Sequence, residues 1–558
     1  MLSFALNYYF AGGYIASAFK ISNIAIHSLN AVLVFILCLQ LFKHSSAATG
    51  KNLIGLYLAA GISLIWAVHP INLTSVLYVV QRMTSLSTLF SLSCIIFYLS
   101  ARNRWLQHSF SWHVASLFLA SLASLVLALY SKENAVLIPL IILCIELTLY
   151  SNEKPWVFFK KLSTAQQLTS WAVIFTLCLW TLLWAIDYAS GGYDSRPFTM
   201  LERILTESRV LCFYISLILI PRINGFGLFH DDIALSTSLL GPWTTLAAII
   251  FILGLLVSAV YYRKKNPLFA LGIAWFFIGH LLESTIFALE IAHEHRNNLP
   301  SIGIILAAVS LIHKGIKFQK LTFIFLLVSL VLGATTWLRA KQWGNYQSLA
   351  YYEASHHPDS PAIQALLSNA ANQAGDSELA IQAIKKAMGL DTTETSYAMH
   401  YQNILALHGK PIPPELQLET LRRIRANHFT ASTQLALDHI AGCLKKAPCA
   451  PLQKNYIEWI NAVIERQPNN AYYHYFKGVA HRANGDNLLA LNAYQQAHNL
   501  SGNFVHPLFE MATLLIQLDQ LEAAKYVVSS IEKASQKEGF RRHDELLQLK
   551  KILAELKK

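Results

Sequence analysis

Charged residues are scarce in this sequence of 558 residues, and their scarcity excludes an ordinary soluble protein. Only 14% of the residues are Asp, Glu, Lys or Arg, while 54% are hydrophobic and the mean hydropathy is +0.39. Soluble globular proteins carry about 25% charged residues. The composition therefore indicates a membrane protein.

Acidic residues are scarcest in the first part of the chain. Residues 1–340 hold 22 basic and 12 acidic residues, whereas residues 341–558 hold 22 and 20. Most of the net charge of +12 therefore comes from the apolar part, where basic loops indicate membrane topology. The sequence has no basic stripe with interleaved aromatic residues, so nothing in it indicates nucleic-acid binding.

Cysteine is infrequent as well. Five of the seven cysteines lie in apolar runs, where we expect inert, small hydrophobic side chains: Cys38, Cys94, Cys144, Cys178 and Cys212. Cys443 and Cys449 instead flank the polar segment LKKAP in the final third. They could form a disulfide if that part lies outside the cytoplasm. Two free thiols near a helix end are the alternative.

Apolar runs long enough to form membrane helices recur through residues 1–340. A spanning helix needs about 20 mostly apolar residues, and the shortest runs can be completed by their flanks. The runs lie near residues 23–42, 52–68, 84–100, 112–130, 134–150, 168–187, 244–262, 267–287, 299–313 and 321–339. We therefore predict an all-α protein in which residues 1–340 form a polytopic bundle of about ten membrane helices.

The basic loops predict the orientation of this bundle. Every second run is followed by basic residues: Lys43 and Lys51, Arg102 and Arg104, Lys154, Lys160 and Lys161, Arg263, Lys264 and Lys265, and Lys314, Lys317 and Lys320. Loops rich in Lys and Arg face the cytoplasm. The alternation holds if VLCFYISLILI (210–220) does not cross, and its 11 residues are typical of a re-entrant segment. Residues 341–558 then lie outside the cytoplasm, in the periplasm of a bacterium whose inner membrane holds the bundle.

The final third carries a repeated helical pattern. In residues 364–391 and 472–500 a Gly-Asp pair, at Gly375 and Gly485, is followed by alanines at matching positions, Ala380 and Ala387 in one segment and Ala490 and Ala497 in the other. Gly478 matches a further small position, and a third unit at 509–534 has Ala512 and Ala524. Small residues let paired antiparallel helices approach closely, as in tetratricopeptide repeats. The hydrophobic residues of segment 392–467 recur with the period of a helix, but this segment matches the repeat pattern poorly.

Unusual polar residues gather in the segments assigned to the non-cytoplasmic side. Ionisable groups in or near the membrane cost free energy and are retained mostly where they pair or line a cavity. The main candidates for a site are His69, Arg82, Lys132, Glu133, Glu294, His295, Arg296 and Asn297, and the secondary ones are Glu283, His230, Asp231 and Asp232.

Each candidate has a structural alternative. Lys132 and Glu133 could be an interfacial pair that reaches the headgroups, Arg82 could be paired structurally, and Asp231 and Asp232 could lie in a solvated loop. The zinc pattern H-E-x-x-H is not completed, because Asn297 stands where its second histidine would be. We therefore predict no zinc site there, although a divalent cation remains open.

Three blocks in order resemble a known family. HPINLTSVLYVVQR (69–82), SKENAVLIPLIILCIEL (131–147) and EHRNNLPSIGI (294–304), followed by the repeats, are similar to transmembrane-and-tetratricopeptide-repeat (TMTC-like) proteins, including bacterial members. The resemblance covers essentially the whole chain. It implies a GT-C type glycosyltransferase that moves a sugar from a polyprenyl-phosphate carrier to a protein hydroxyl outside the cytoplasm.

The implied chemistry suits the candidate residues. Departure of a lipid phosphate builds up negative charge that fixed cations stabilise. The candidates to bind this phosphate are Arg82, Lys132, His295 and Arg296. The acceptor hydroxyl needs a carboxylate to take or orient its proton. The repeats could present the protein acceptor in a concave groove.

One feature departs from the family pattern. GT-C enzymes carry an acidic catalytic motif in the loop after their first membrane helix, yet residues 1–22 contain no Asp or Glu and no span precedes them. We therefore expect that the sequence lacks that helix and loop, and we assign no catalytic acid. Asp231 and Asp232 lie in a later loop and are not assigned as the catalytic base.

Two other functions remain open. The bundle could anchor a repeat scaffold for envelope proteins, or the chain could be a polymerase or ligase of surface polysaccharide. The lipid bilayer and a protein partner of the repeats are expected in every case. Transport is disfavoured, because the polar residues gather at one face and not at the midplane.

Overall fold

A computed structural model describes residues 2–46, 52–107, 110–151, 153, 163–313, 316, 318–444, 446–536 and 542–556. Throughout these residues the regular secondary structure is helical, as predicted for an all-α protein. The chain forms two compact units, Met1–Ile363 and Gln364–Lys558. The boundary therefore lies beyond residue 340, since the helix Tyr346–His356 and the segment after it belong to the first unit.

The first unit is a bundle of helices joined by short turns. Its α-helices are Leu2–Ala11, Ala16–Ser46, Asn52–Val68, Leu73–Leu77, Arg82–Gln107, Trp112–Ser131, Ile138–Thr148, Thr164–Ser190, Met200–Leu219, Thr244–Tyr262, Pro267–His280, Ser301–Ile312, Phe318–Gln342 and Tyr346–His356. Single 3-10 turns begin at Pro70, Val79, Glu133, Gly191, Ile223 and Glu294. The turns that begin at Glu133 and Glu294 hold five of the eight main candidates.

Within the described residues, five helices are long and apolar enough to cross a membrane: Ala16–Lys43, Val79–Gln107, Trp112–Ser131, Thr244–Tyr262 and Gln319–Gln342. A sixth is reached if Leu53–Val68 and Pro70–Leu77, bent by 50°, form one broken span. Two apolar helices, Pro267–His280 and Ser301–Ile312, are shorter. The figure of about ten spans stays a prediction.

The stretch 210–220 is not the separate short segment that the sequence predicted. It is the second half of the 20-residue helix Met200–Leu219, which begins at a capping box between Thr199 and Glu202. Arg203 and Glu207, one helical turn apart, form a buried ion pair that keeps the charged first half helical. Counting only apolar residues missed that half, and whether the helix crosses a membrane stays a prediction.

Several residues behind the orientation lie outside the described residues, namely Lys51, Lys154, Lys160, Lys161, Lys314 and Lys317. The periplasmic placement of the repeats therefore stays a prediction.

A close helix pair positions the segment between residues 281 and 300. A Cβ atom placed on Gly272 would lie 2.4 Å from the carbonyl oxygen of Gly303, so Pro267–His280 and Ser301–Ile312 touch backbone to backbone. Small residues allow such contacts between membrane helices. This pair carries the Glu294–Asn297 turn at one of its ends.

The second unit is the helical repeat domain. Its α-helices are Pro361–Gln373 (which begins in the first unit), Ser377–Leu390, Thr395–Leu407, Pro414–Ala426, Ala431–Leu444, Gln453–Arg466, Ala471–Ala483, Asn487–Leu500, His506–Gln517, Leu521–Ser535 and His543–Glu555. The predicted turns are confirmed, because Gly375 and Gly485 have φ values of +82° and +86°, a region that favours glycine.

The small residues of the repeat pattern lie where helices meet. Ala380, Ala387, Ala490 and Ala497 are fully buried. A Cβ atom on Gly478 would lie 2.4 Å from the ring of Tyr494, which is itself fully buried. The tetratricopeptide-like packing predicted from spacing is therefore present in these helix pairs.

Substitution of Gly478 by alanine tests this packing. The methyl group would push on the Tyr494 ring, and overpacking of a core costs about 1–3 kcal/mol. We expect the repeat domain of the full-length protein in detergent to become protease-sensitive at a lower temperature. The control is Gly389→Ala, where the new methyl group meets nothing within 4 Å. A Gly478→Ala protein as resistant as wild type would contradict the packing.

Cys443 and Cys449 are joined by a disulfide in the structure, with a Cα–Cα distance of 5.8 Å. Disulfides persist in oxidising compartments and are rare in the cytosol. If the repeats are periplasmic, non-reducing mass spectrometry of protein alkylated before lysis will recover the two cysteines as one cross-linked peptide. Recovery of both as alkylated thiols would place the domain in the cytoplasm.

Candidate functional site

The Glu294–Asn297 turn is held by a buried ion pair. Arg339, near the end of the last long apolar helix, places both terminal nitrogens 3.2 Å from the Glu294 carboxylate, and both side chains are buried. The backbone N–H of Gly227 donates to the same carboxylate at 2.7 Å. Charge beside apolar helices is therefore retained here because it is paired and hydrogen-bonded.

Arg339 also ties two other segments to this turn. It donates to the carbonyl of Pro70 at 2.9 Å and stacks over the ring of Phe226 at 4.3 Å. Sequence reasoning did not select Arg339. The only available signal was a lone arginine at the end of the run at 321–339.

Lys132 and Glu283 form a second buried pair. The Lys132 Nζ lies 2.5 Å from Glu283 Oε1, and the two side chains are 6% and 5% exposed. Among the described residues, the other oxygen of Glu283 has no hydrogen-bond partner. The pair joins residues 151 positions apart, and it leaves one carboxylate oxygen available.

Two uncharged histidines lie beside this pair. The rings of His293 and His295 stack with centroids 5.0 Å apart, and both side chains are half-buried. Burial lowers the pKa of His293 to about 3, with a further contribution from Arg296. Burial also lowers the pKa of His295 well below its usual value, and Lys132, His293 and Arg296 add to this. Both rings are therefore neutral at physiological pH, and each can donate one hydrogen bond and accept another.

Arg296 and Asn297 shape the turn. The terminal nitrogens of Arg296 donate to the carbonyls of Ile291 and Glu290 at 3.1 and 2.7 Å. Asn297 donates to the carbonyl of Glu294 at 3.3 Å. Arg296 therefore contributes positive charge to the site, while two of its N–H groups bind backbone.

Arg203 was missed by sequence reasoning and braces the same loop. It donates to the carbonyls of Leu289 at 2.5 Å and Glu283 at 2.7 Å, besides its pair with Glu207. The sequence signal for this role was the pair Arg203 and Glu207, two charges one helical turn apart just before the apolar stretch 210–220.

Arg82 lies in a cluster of its own. Its guanidinium donates to Asn23 and Asn7 at 2.6 Å each and to the carbonyls of Ser3 and Phe19 at 3.0 Å each. These acceptors come from the start of the chain, so the hydrogen-bond partners of Arg82 are not the other candidates. Structural pairing, the alternative weighed above, is what the geometry supports.

His69 and Glu133 have different positions. His69 accepts from the N–H of Ile71 at 3.1 Å, so its other nitrogen carries the proton that is donated to the carbonyl of Ile218 at 3.0 Å. It therefore caps the Pro70–Asn72 turn. Glu133 is exposed at the start of the turn Glu133–Leu137.

The acidic pair Asp231–Asp232 binds the segment that follows the last long apolar helix. Asp231 accepts from the hydroxyl of Ser360 and from the N–H of Ala362 at 2.9 Å. Asp232 Oδ2 lies 2.8 Å from His357 Nδ1. Asp231 and Asp232 are therefore part of an ordered contact inside the first unit, although both residues are exposed to solvent.

The electrostatics of this contact favour positive charge at His357. Burial opposes protonation of His357, but its hydrogen bonds to Asp232 and to the Phe226 carbonyl outweigh burial and raise its pKa. Burial also raises the pKa of Asp231. His357 was not selected from sequence, because nothing in its neighbourhood indicated a partner more than 100 residues earlier.

The structure thus divides seven of the twelve sequence candidates into three groups. Lys132, Glu283, His295 and Arg296 gather with His293 in what we name the central site. Glu294 and His230 lie 3.7 Å apart in a neighbouring group with Arg339. Arg82 is separate. The central site offers cationic charge, neutral imidazoles and a carboxylate oxygen, which together suit a polar anionic ligand and proton transfer.

No protein-family model matches the chain, and no curated protein matches it. Among solved structures, yeast Tom70 is 11% identical, with 94% of this chain and 96% of that one covered and a TM-score of 0.28. The TPR2AB-domain:pHSP90 complex of yeast Sti1 is 14% identical over 55% and 98%, with a TM-score of 0.20. MamA from Desulfovibrio magneticus RS-1 is 15% identical over 32% and 97%, with a TM-score of 0.21. Likenesses of this size bear on no assignment of function.

Proposed function

We propose that the protein is a membrane glycosyltransferase that moves a sugar from a polyprenyl-phosphate carrier to a protein hydroxyl on the extracytoplasmic side. The observation that carries the proposal is the buried Lys132–Glu283 pair beside two neutral histidines. The resemblance of three sequence blocks to GT-C type enzymes supports the same chemistry.

The roles follow from the charges of the central site. Lys132 and Arg296 provide positive potential for the phosphate that leaves the sugar, because fixed cations in a low-dielectric site stabilise developing negative charge. The unpartnered oxygen of Glu283 orients the acceptor hydroxyl or takes its proton. His295 donates a hydrogen bond to a sugar or phosphate oxygen.

The repeat domain binds the protein acceptor in this proposal. Helical repeats form extended concave surfaces that hold polypeptide partners. The contacts that the donor makes on binding determine which sugar and carrier lipid are used. The contacts that the acceptor makes determine which protein is modified.

Mass spectrometry of envelope proteins tests the proposal. A deletion strain is expected to lose hexose or pentose adducts, a plasmid with the wild-type gene to restore them, and a Glu283→Gln gene to leave them absent despite normal protein levels. Unchanged adducts in the deletion strain would contradict the enzyme assignment.

A membrane-anchored scaffold is the second candidate, and one observation favours it. Arg82, Arg203 and Arg296 donate to acceptors of the protein itself, as expected of residues that only hold a bundle together. A deletion strain with intact glycans but a missing envelope complex would support this function.

A further inference from the structure

Two histidines and an aspartate meet outside the central site. We name His230, Asp232 and His357 the His230 cluster. One ring nitrogen of each histidine and a carboxylate oxygen of Asp232 all lie within 4.8 Å of one another. All three residues belong to the first unit.

The orientation of His357 calls for a cation or a second proton. Its Nε2 lies 3.1 Å from the carbonyl oxygen of Phe226 and its Nδ1 lies 2.8 Å from Asp232 Oδ2, so both nitrogens face acceptors. A neutral imidazole has only one N–H. Histidines that bind metals commonly donate the other ring N–H to a backbone carbonyl, which is the arrangement at Phe226.

His230 supplies an independent observation. Its side chain is 2% exposed, and among the described residues its Nε2 has no hydrogen-bond partner. The nearest acceptor, Glu294 Oε1, is 3.7 Å away and already accepts from Gly227 and Arg339. A second proton on His357 would leave this buried nitrogen unsatisfied, whereas a metal ion bound through this nitrogen and the His357 ring would satisfy it.

The surroundings favour a positive ion. The carboxylates of Asp232, Glu294 and Glu353 lie around the cluster. A Cβ atom on Gly227 would lie 2.8 Å from His357 Nε2, so the glycine lets the loop close over the ring. Asp232 is 25% exposed, which leaves a path for ion and water to enter.

We propose that His230, Asp232 and His357 bind a Zn²⁺ ion that joins the 226–232 loop to the segment after the last long apolar helix. Nitrogen and carboxylate ligands suit zinc, whose bonds of about 2.0–2.2 Å place tetrahedral ligand atoms about 3.4 Å apart. To reach that spacing, His357 Nδ1 and Asp232 Oδ2, which lie 2.8 Å apart, move slightly apart, and the atoms that are up to 4.8 Å apart move closer. Water completes the coordination.

Zinc binding to the full-length protein in detergent tests the proposal. After EDTA has stripped bound metal and the protein has been dialysed against buffer with Zn²⁺, we expect elemental analysis to find one more Zn²⁺ per chain in wild type than in Asp232→Asn. Titration with Zn²⁺ should give at least a tenfold difference in affinity. The control is His356→Gln, because the His356 ring bonds to Tyr352 and Ser355 and not to the cluster. The control protein should bind zinc like wild type.

Equal zinc binding by wild type and Asp232→Asn would overturn the proposal. If that variant does not fold, the visible spectrum of Co²⁺ bound to wild type decides. Intense bands of four- or five-coordinate Co²⁺ that Zn²⁺ displaces support the site, and the weak spectrum of hexaaqua Co²⁺ alone overturns it.

Discussion

Substitution of Glu294 by alanine is expected to destabilise the membrane unit by about 3–5 kcal/mol, the effect of removing one partner of a buried ion pair. The Arg339 guanidinium would remain 3% exposed without its carboxylate, and the N–H of Gly227 would lose its acceptor. The measurement is the unfolding free energy of the full-length protein in mixed micelles.

The control lies four residues earlier. Glu290 also pairs with an arginine, Arg196, at 2.7 Å, but the two side chains are 60% and 25% exposed. Exposed pairs contribute about 0–1 kcal/mol, so Glu290→Ala should change stability little. Equal losses for Glu294→Ala and Glu290→Ala would mean that the Glu294–Arg339 pair does not hold the turn.

Substitution of Glu283 by glutamine is expected to lower sugar transfer by about 10²–10⁴-fold, the range found for loss of a general acid or base. The amide keeps the shape of the carboxylate, but it neither takes a proton nor neutralises Lys132. Transfer is measured with purified protein, a lipid-linked sugar and an acceptor peptide that the mass spectrometry identifies.

Glu146→Gln is the matched control for that experiment. Arg102 and Glu146 form a buried pair at 2.8 Å, with side chains 2% and 8% exposed, so its burial resembles that of Lys132–Glu283. In the predicted topology, Arg102 and the end of run 134–150 that holds Glu146 lie on the cytoplasmic side, opposite the central site. Loss of transfer in both variants alike would show that the effect comes from weakened folding, and the assignment of Glu283 would fail.

The sequence predicted helices and repeats well because both depend on local spacing. Gly375 and Gly485 adopt the positive φ that their turns require, and the alanines that follow them are buried against partner helices. Features of this kind can be recognised from neighbouring residues alone.

The partners of the polar candidates could not be predicted, because they depend on contacts between distant parts of the chain. Glu294 was selected as a site candidate, yet its partner Arg339 lies 45 residues later, and His357 lies more than 100 residues from its partner Asp232. Hydropathy shows that a charge near a membrane helix needs a partner, but it does not identify that partner.

Arg82 shows the same limit, because it was selected as a candidate without its hydrogen-bond partners being predicted. Its place in an apolar run made Arg82 a site candidate, and the family resemblance implied that it binds phosphate. In the structure its guanidinium binds Asn7 and Asn23, and phosphate binding stays a prediction. Neutral asparagines are weak signals in a sequence, and the ten-residue helix Leu2–Ala11, which carries Asn7, was not predicted.

Photocross-linking tests most directly whether the central site holds a lipid-linked phosphate. A polyprenyl-phosphate sugar that carries a diazirine beside the phosphate is added to the full-length protein in liposomes, and the labelled peptides are sequenced. We predict labels within residues 131–134 and 293–296 that excess unlabelled carrier removes and that Lys132→Met reduces strongly. Labels confined to other segments, or equal labelling of the Lys132→Met protein, would contradict the proposed binding site.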